Sequence, residues 1–285
     1  MWFRVLLFAL GLVVIGLVGV LIVNKVRLDR ANAELVEELL VEANLDTEKV
    51  FKKEDLDGLP EPVGRYLATV LTEGQPYVRR VRLRQSGEFR TGDAADSWKP
   101  FTAMQHFTTD PPGFVWDAKI EMVPLVSVRV VDMYKSGEGA LRGKVLSTLS
   151  VVDEGPDVEM NSGELLRYLA ETVWFPTALL PSEGVKWTLI DGESARAALT
   201  HRGTTVSLVF HFNRRNEVDR VFAESRYRSV GGTFEPTPWT GYFRNYQIRN
   251  DMLIPIEGEV EWNLPEGNLP YWRGYLEKIE YEPAR

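Results

Sequence analysis

Three histidines, one glycine-rich run and a few strand carboxylates are the residues of this chain whose types could do chemistry. His106 in MQHFTTD, His201 in LTHRGT and His211 in LVFHFN are not related by HExxH or any other paired-histidine spacing, so no metal site is expected. His211 lies opposite Phe210 and Phe212 on an alternating segment, which puts it on the polar face of a strand, and His201 reads as a turn residue. No G-x-S-x-G pentapeptide offers a serine on a strand-to-helix elbow. The run YKSGEGALRGK, Tyr134 to Lys144, lacks the GxxxxGK[ST] order of a phosphate loop and reads as a hairpin turn. Cysteine is absent, which removes thiolate nucleophiles, disulfides and Cys-ligated metals. No cofactor is expected.

Carboxylates remain. Glu224 and Glu259 lie on strand segments beside aromatic residues, and two carboxyl groups about 5–10 Å apart can hydrolyse a glycosidic bond. Arg220, Arg226 and Arg228 share the alternation face of Glu224, so cross-strand ion pairing is the plainer role for it. A carboxylate-based hydrolase is kept as an alternative. The chain's 33 Lys and Arg against 41 Asp and Glu give a formal charge of −8, which provides no broad basic surface for nucleic acid.

The elements that must position these residues are mostly strands. In FVWDAKIEM, Phe114, Trp116, Ala118, Ile120 and Met122 share one face while Val115, Asp117, Lys119 and Glu121 share the other, the pattern of an antiparallel sheet with one dry and one wet face. The same alternation groups Val206, Leu208, Phe210 and Phe212, and then Ile254, Ile256, Val260 and Trp262. Polar turns such as Asp191-Gly192, NRRN at Asn213 to Asn216, and Asn250-Asp251 separate the runs. The count is about five strands from Arg79 to Val152 and about six from Lys186 to Glu282. The expected fold is mainly β: one strongly curved antiparallel sheet, an incomplete barrel of ten to twelve strands.

One amphipathic helix interrupts it. In NSGELLRYLAETVWFPTALLP, Asn161 with Glu164 makes a capping box, and Leu165, Leu166, Leu169, Val173 and Trp174 form an apolar stripe. Pro176 stops the helix, giving an inserted helix over residues 161–174. It should cover the dry face. Two readings follow: the cover fills a solid core, with Glu164, Arg167 and Glu171 a solvated charged face, or it leaves an apolar cavity with aromatic walls.

At the N-terminus, Val5 to Val23 runs nineteen residues without a charge, which as a helix approaches the ~30 Å bilayer core. It leads into Asn24 and Lys25 with no small-residue cleavage site, so a retained membrane anchor is expected over residues 1–27. Leu28 to Leu45 mixes apolar residues with Glu34, Glu37, Glu38 and Glu42, a charged juxtamembrane stalk over 28–58. In LPEPVGRYLATVL, Val63, Leu67, Val70 and Leu71 fall on one helical face that should dock on the β domain, residues 59–285.

The runs GELLRYLAETVWFPTALLP, VRLRQSGEFR, DPPGFVWDAKIEM and TPWTGYF resemble an uncharacterised prokaryotic family known only as a domain of unknown function, over about Leu59 to Glu282. The strand and helix order is similar to the incomplete β-barrel of the periplasmic lipoprotein-carrier superfamily, in which a curved sheet wraps an apolar cavity plugged by helices. That resemblance implies a lipid or other apolar ligand. If a cavity exists, Phe114, Trp116, Trp174 and Phe175, with Tyr227, Trp239 and Trp262 from the second half, should line it. A structural or interaction module with a filled core is the other alternative. Lys25, Arg27 and Arg30 after the span, against Arg4 before it, favour a cytoplasmic domain, whereas the carrier resemblance favours the other side; the extracytoplasmic side is taken.

Overall fold

The computed structural model describes residues 2–45, 48–92 and 97–283. Met1 of the expected anchor, residues 46–47 of the expected stalk, and 93–96 and 284–285 of the expected β domain lie outside the described residues.

Two helices precede the sheet, α1 (Trp2–Glu42) and α2 (Glu61–Val70). Six strands follow: β1 (Val78–Arg90), β2 (Trp98–Thr109), β3 (Pro112–Val123), β4 (Val126–Lys135), β5 (Glu138–Val145) and β6 (Leu149–Glu154). After α3 (Val158–Glu171) and three short 3-10 turns come β7 (Lys186–Asp191), β8 (Ser194–His201), β9 (Thr204–Phe212), β10 (Val218–Val230), β11 (Thr233–Arg249), β12 (Met252–Leu264) and β13 (Gly267–Pro283). The fold is the expected one, mainly β with an open antiparallel sheet and a covering helix. The described residues form thirteen strands rather than ten to twelve, six before α3 and seven after it.

The strand order is β6-β5-β4-β3-β2-β1-β13-β12-β11-β10-β9-β8-β7. Two meanders of consecutive hairpins meet at the β1–β13 pair, so the chain enters and leaves at the middle of the sheet. The segment joining the meanders must then run from one edge, β6, to the other, β7. It crosses the concave face, and this explains why a helix stands between the two halves of the sequence. The curl brings the wings together: the Tyr134 hydroxyl on β4 lies 2.9 Å from His201 Nδ1 on β8, far apart in the strand order. Glycine helps to bend the middle, since Gly87, Gly274 and Gly258 are register partners on β1, β13 and β12. A Cβ on Gly87 would fall 2.1 Å from the Arg273 carbonyl oxygen, so only glycine allows the strands to approach this closely.

The wet face is covered in part. From Asn24 onward α1 lies along the outer face of β2 to β5, where Leu39 packs on Val115 and Val131. Asn32 donates to Asp117 Oδ2 at 3.2 Å, and Arg129 binds both Asp117 and Asp29. The segment expected to be a stalk is therefore packed on the sheet, and Val115 is buried rather than wet. The cause is the apolar i, i+3, i+4 set Leu35, Val36 and Leu39 among the glutamates. On α2, Val63, Tyr66, Leu67 and Val70 are buried as the helical spacing requires.

Helix α3 starts earlier than the capping box suggests. Asp157 accepts from the Met160 amide at 2.6 Å and is the N-cap, while the Asn161 side chain accepts from the Gly139 amide at 2.7 Å and ties α3 to β5. Glu171 ends the α-helix; Thr172–Trp174 form a 3-10 turn, and Phe175, at φ −145° and ψ 67°, is no longer helical before Pro176.

Candidate ligand cavity

Between α3 and the concave face lies a cavity of about 320 Å³, within the roughly 300–1,000 Å³ of small-molecule sites. Its walls are aromatic and its inner surface beside α3 carries charge. Of the seven residues expected to line it, Trp116, Trp174, Tyr227, Trp239 and Trp262 do so. Phe114 and Phe175 do not reach it: both pack on Phe107, with ring centroids 6.0 and 4.8 Å away. Each belongs to the solid part of the core, so the core is solid toward one end and hollow toward the other.

The second half supplies the wall. Trp262 and Tyr271 stack with centroids 5.6 Å apart, and the Tyr271 hydroxyl accepts from Trp239 Nε1 at 2.9 Å and from Arg226 Nη1 at 3.1 Å. The Arg226 guanidinium sits over Trp239 and Trp262, 5.2 and 5.6 Å from their centroids, which is cation–π geometry. Alternation puts Arg226 on the face of Glu224, but β10 is irregular between Ala223, paired with Trp239, and Arg226, paired with Thr237. One extra residue there changes the face of everything beyond it. Arg226 is thereby turned inward, while Glu224 stays exposed and pairs with Arg196 at 3.1 Å. Glu259 lines the cavity and Glu224 does not, so the structure does not bring this pair together as hydrolytic carboxylates.

The charged side of α3 is not solvated. Glu164, Arg167 and Glu171 face the sheet and the cavity, because α3 crosses the concave side with strands of both meanders packed against it. Arg167 pairs with Asp132 of β4 and with Glu171 Oε1 at 3.0 Å, and its guanidinium lies 4.9 Å from the Phe114 centroid and 5.1 Å from that of Trp116. Gln105 donates to Glu171 Oε2 at 2.7 Å. Burial opposes the Arg167 charge, but Glu171, Asp132 and Glu164 outweigh it and raise its pKa further. Burial pushes Glu171 up, against the opposing charge and hydrogen bond of Arg167.

Glu164 stands apart. Its carboxylate lies 3.7 Å from Arg226, yet burial first, and the Asp132 carboxylate second, hold its pKa well above the ordinary range. A buried carboxyl group beside a second carboxylate favours its own protonated form. The folded state therefore binds the Glu164 proton more tightly than the unfolded chain. The resulting stability is full below the ordinary carboxylate pKa and is lost as pH rises through the raised value. Glu164→Gln imitates the protonated carboxyl, so thermal melts are expected to show it stabilised relative to the natural chain at about pH 8 and little changed at about pH 4. Equal destabilisation at both would contradict the raised pKa of Glu164.

Among the described residues, no group of three or more His, Asp or Glu could hold a metal ion. Burial beside Arg82 lowers the pKa of His106, and burial beside Arg220 lowers that of His211.

Residues 57–281 match a family described as a family of unknown function, DUF6920, nearly the Leu59 to Glu282 span over which the sequence resemblance holds. No curated protein matches the chain. Among solved structures, a LolA superfamily protein from Nitrosomonas europaea is similar at 10% identity and a TM-score of 0.43, covering 79% of this chain and 93% of that one. A DUF1329 family protein from Desulfovibrio piger is similar at 10% identity and a TM-score of 0.40, covering 83% and 94%.

Proposed function

The chain belongs to the DUF6920 family of unknown function, and we propose that it is a membrane-tethered module that binds or carries a lipid or another amphiphile in the cavity under α3. The observation that carries this reading is the chemistry of the lining. Apolar rings supply most of the wall, and the guanidinium of Arg226, seated over Trp239 and Trp262, adds a cation to it. A ligand with an apolar body and a polar head would bury its chain against the rings and set its head beside the charged groups of α3 and Arg226. Phe114 and Phe175 support the wall from behind, and Trp116, Trp174, Tyr227, Trp239 and Trp262 contact the ligand.

The tether is α1. Trp2–Glu42 is long and apolar enough to cross a membrane, and its most apolar stretch is not buried in the protein. The same proposal places the β domain outside the cytoplasm, following the lipoprotein-carrier resemblance; protease added to spheroplasts should then digest it, and protection would put it inside.

Mass spectrometry of an organic extract of the purified full chain tests the binding reading. A bound amphiphile should be recovered in near-stoichiometric amount. Val260→Trp, which places an indole in the cavity, should lower that yield while circular dichroism remains native. Equal yields from the two folded proteins would refute cavity binding.

A further inference from the structure

The direction of α1 fixes which end of the β domain meets a bilayer. Asn24, the first residue after the uncharged run, donates to Thr148 Oγ1 in the β5–β6 turn at 3.3 Å. Asn32 then meets Asp117 in mid-strand, and the Asn44 amide donates to the Asp110 carbonyl, in the β2–β3 turn, at 2.7 Å. The helix thus runs down the outer face from one end of the sheet to the other, and the apolar run Val5 to Val23 projects beyond the end that holds the β5–β6 turn. In an antiparallel meander alternate turns share an end. Within the first meander the β3–β4 turn therefore lies with the β5–β6 turn, and the register pairs Val128 with Val145 and the Leu146 amide with the Ser127 carbonyl.

Two observations mark this end as more than a loop surface. Leu125 is 99% exposed and Leu149 66% exposed, with Val123 and Val151 exposed beside them. Leu125 and Leu146 also hold φ of +69° and +49°, a region in which a bulky side chain is strained and Gly or Asn would be relaxed. The second observation is the position of the cavity. Phe89, Ile120 and Val152 line it from the parts of β1, β3 and β6 toward this end. The opposite end is closed by Phe107, Tyr168 and Phe175 and by the 3-10 turn whose Glu183 pairs with buried Arg79.

We infer that the leucine-tipped turns dock on the bilayer that holds α1, so that the cavity mouth faces the lipid surface and an amphiphile passes between membrane and cavity without crossing water. The occupant of the apolar tips is the bilayer itself. The span starts at their level, and the inference rests on the tethering proposed above. Exposed leucines at the level of an interface gain by burial about 25 cal/mol per Å² of apolar surface, which offsets the backbone strain at their own positions.

The chain has no cysteine, so single-cysteine variants can be labelled at one site. Leu125→Cys, Leu149→Cys, Val14→Cys in the span, and Ile248→Cys beside the β11–β12 turn at the far end are each labelled with an environment-sensitive fluorophore. The full chain is then reconstituted into phosphatidylcholine–phosphatidylglycerol vesicles containing doxyl-labelled acyl chains. Probes at 14, 125 and 149 should be blue-shifted and lose most of their emission to the doxyl groups, while the probe at 248 keeps its emission. Quenching at 14 with positions 125 and 149 behaving like 248 would overturn membrane docking and leave the tether standing. An unquenched probe at 14 would overturn the tether and the docking with it.

Discussion

Replacing Arg167 with methionine is expected to lower the unfolding free energy by about 3–5 kcal/mol, because it leaves the buried carboxylates of Asp132 and Glu171 without their counterion. For a chain of this size that corresponds to a fall in melting temperature of roughly 6–20 °C. The lost attraction is the smaller part of the effect; the larger is the cost of two negative charges held in a site where Gln105 is the remaining donor to Glu171. The triple variant Asp132→Asn, Arg167→Met, Glu171→Gln, which removes the charges with the counterion, should recover most of the loss, since a buried ionic group replaced as a whole is often neutral in stability. Thermal melts of the two variants against the natural chain check this. A single variant no less stable than the triple would show that the cluster is solvated.

The second large effect separates two tryptophans that sequence reasoning treats alike. Trp116 is buried, donates to Gln85 Oε1 at 2.9 Å and packs edge-on against Phe101, so Trp116→Ala should cost about 3–5 kcal/mol. Trp262 is only partly buried and stacks on Tyr271 at the cavity wall. Its replacement by Ala should cost clearly less stability and lower the amount of amphiphile recovered from the purified protein. Melting temperature and extract yield, measured on the same two preparations, check both halves. Severe destabilisation by both variants with unchanged yield would point to a packed core at Trp262 as well.

The sequence made the dry face legible because a period of 2 survives in FVWDAKIEM, where Phe114, Trp116, Ala118 and Ile120 are all buried. The apolar stripe of α3 was equally plain, since Leu165, Leu166 and Leu169 keep helical spacing whatever surrounds them. What escaped was whatever depends on tertiary enclosure or on a break in period. Nothing local distinguishes Glu164, Arg167 and Glu171 from a solvated face, because their burial follows from the edge-to-edge course of α3. The extra residue between Ala223 and Arg226 resets the alternation, so a strict period of 2 groups the arginine that organises the aromatic wall with Glu224. Asp157, one position before the helix, is masked in the sequence because the pattern at Asn161 and Glu164 satisfies the capping rule on its own. The two phenylalanines that do not reach the cavity share the dry face with those that do, and periodicity carries no information about where along that face the core becomes hollow.

Photo-crosslinking tests the central claim of a ligand-holding cavity most directly. A long-chain carboxylate bearing a tail diazirine is equilibrated with the full chain, irradiated, and the adducts mapped by peptide mass spectrometry. Adducts on the cavity-lining residues Leu141, Val152, Phe234 and Trp262, reduced in Val260→Trp, are the expected result. Adducts confined to the apolar stretch of α1, with none on β5, β6, β11 or β12, would contradict it.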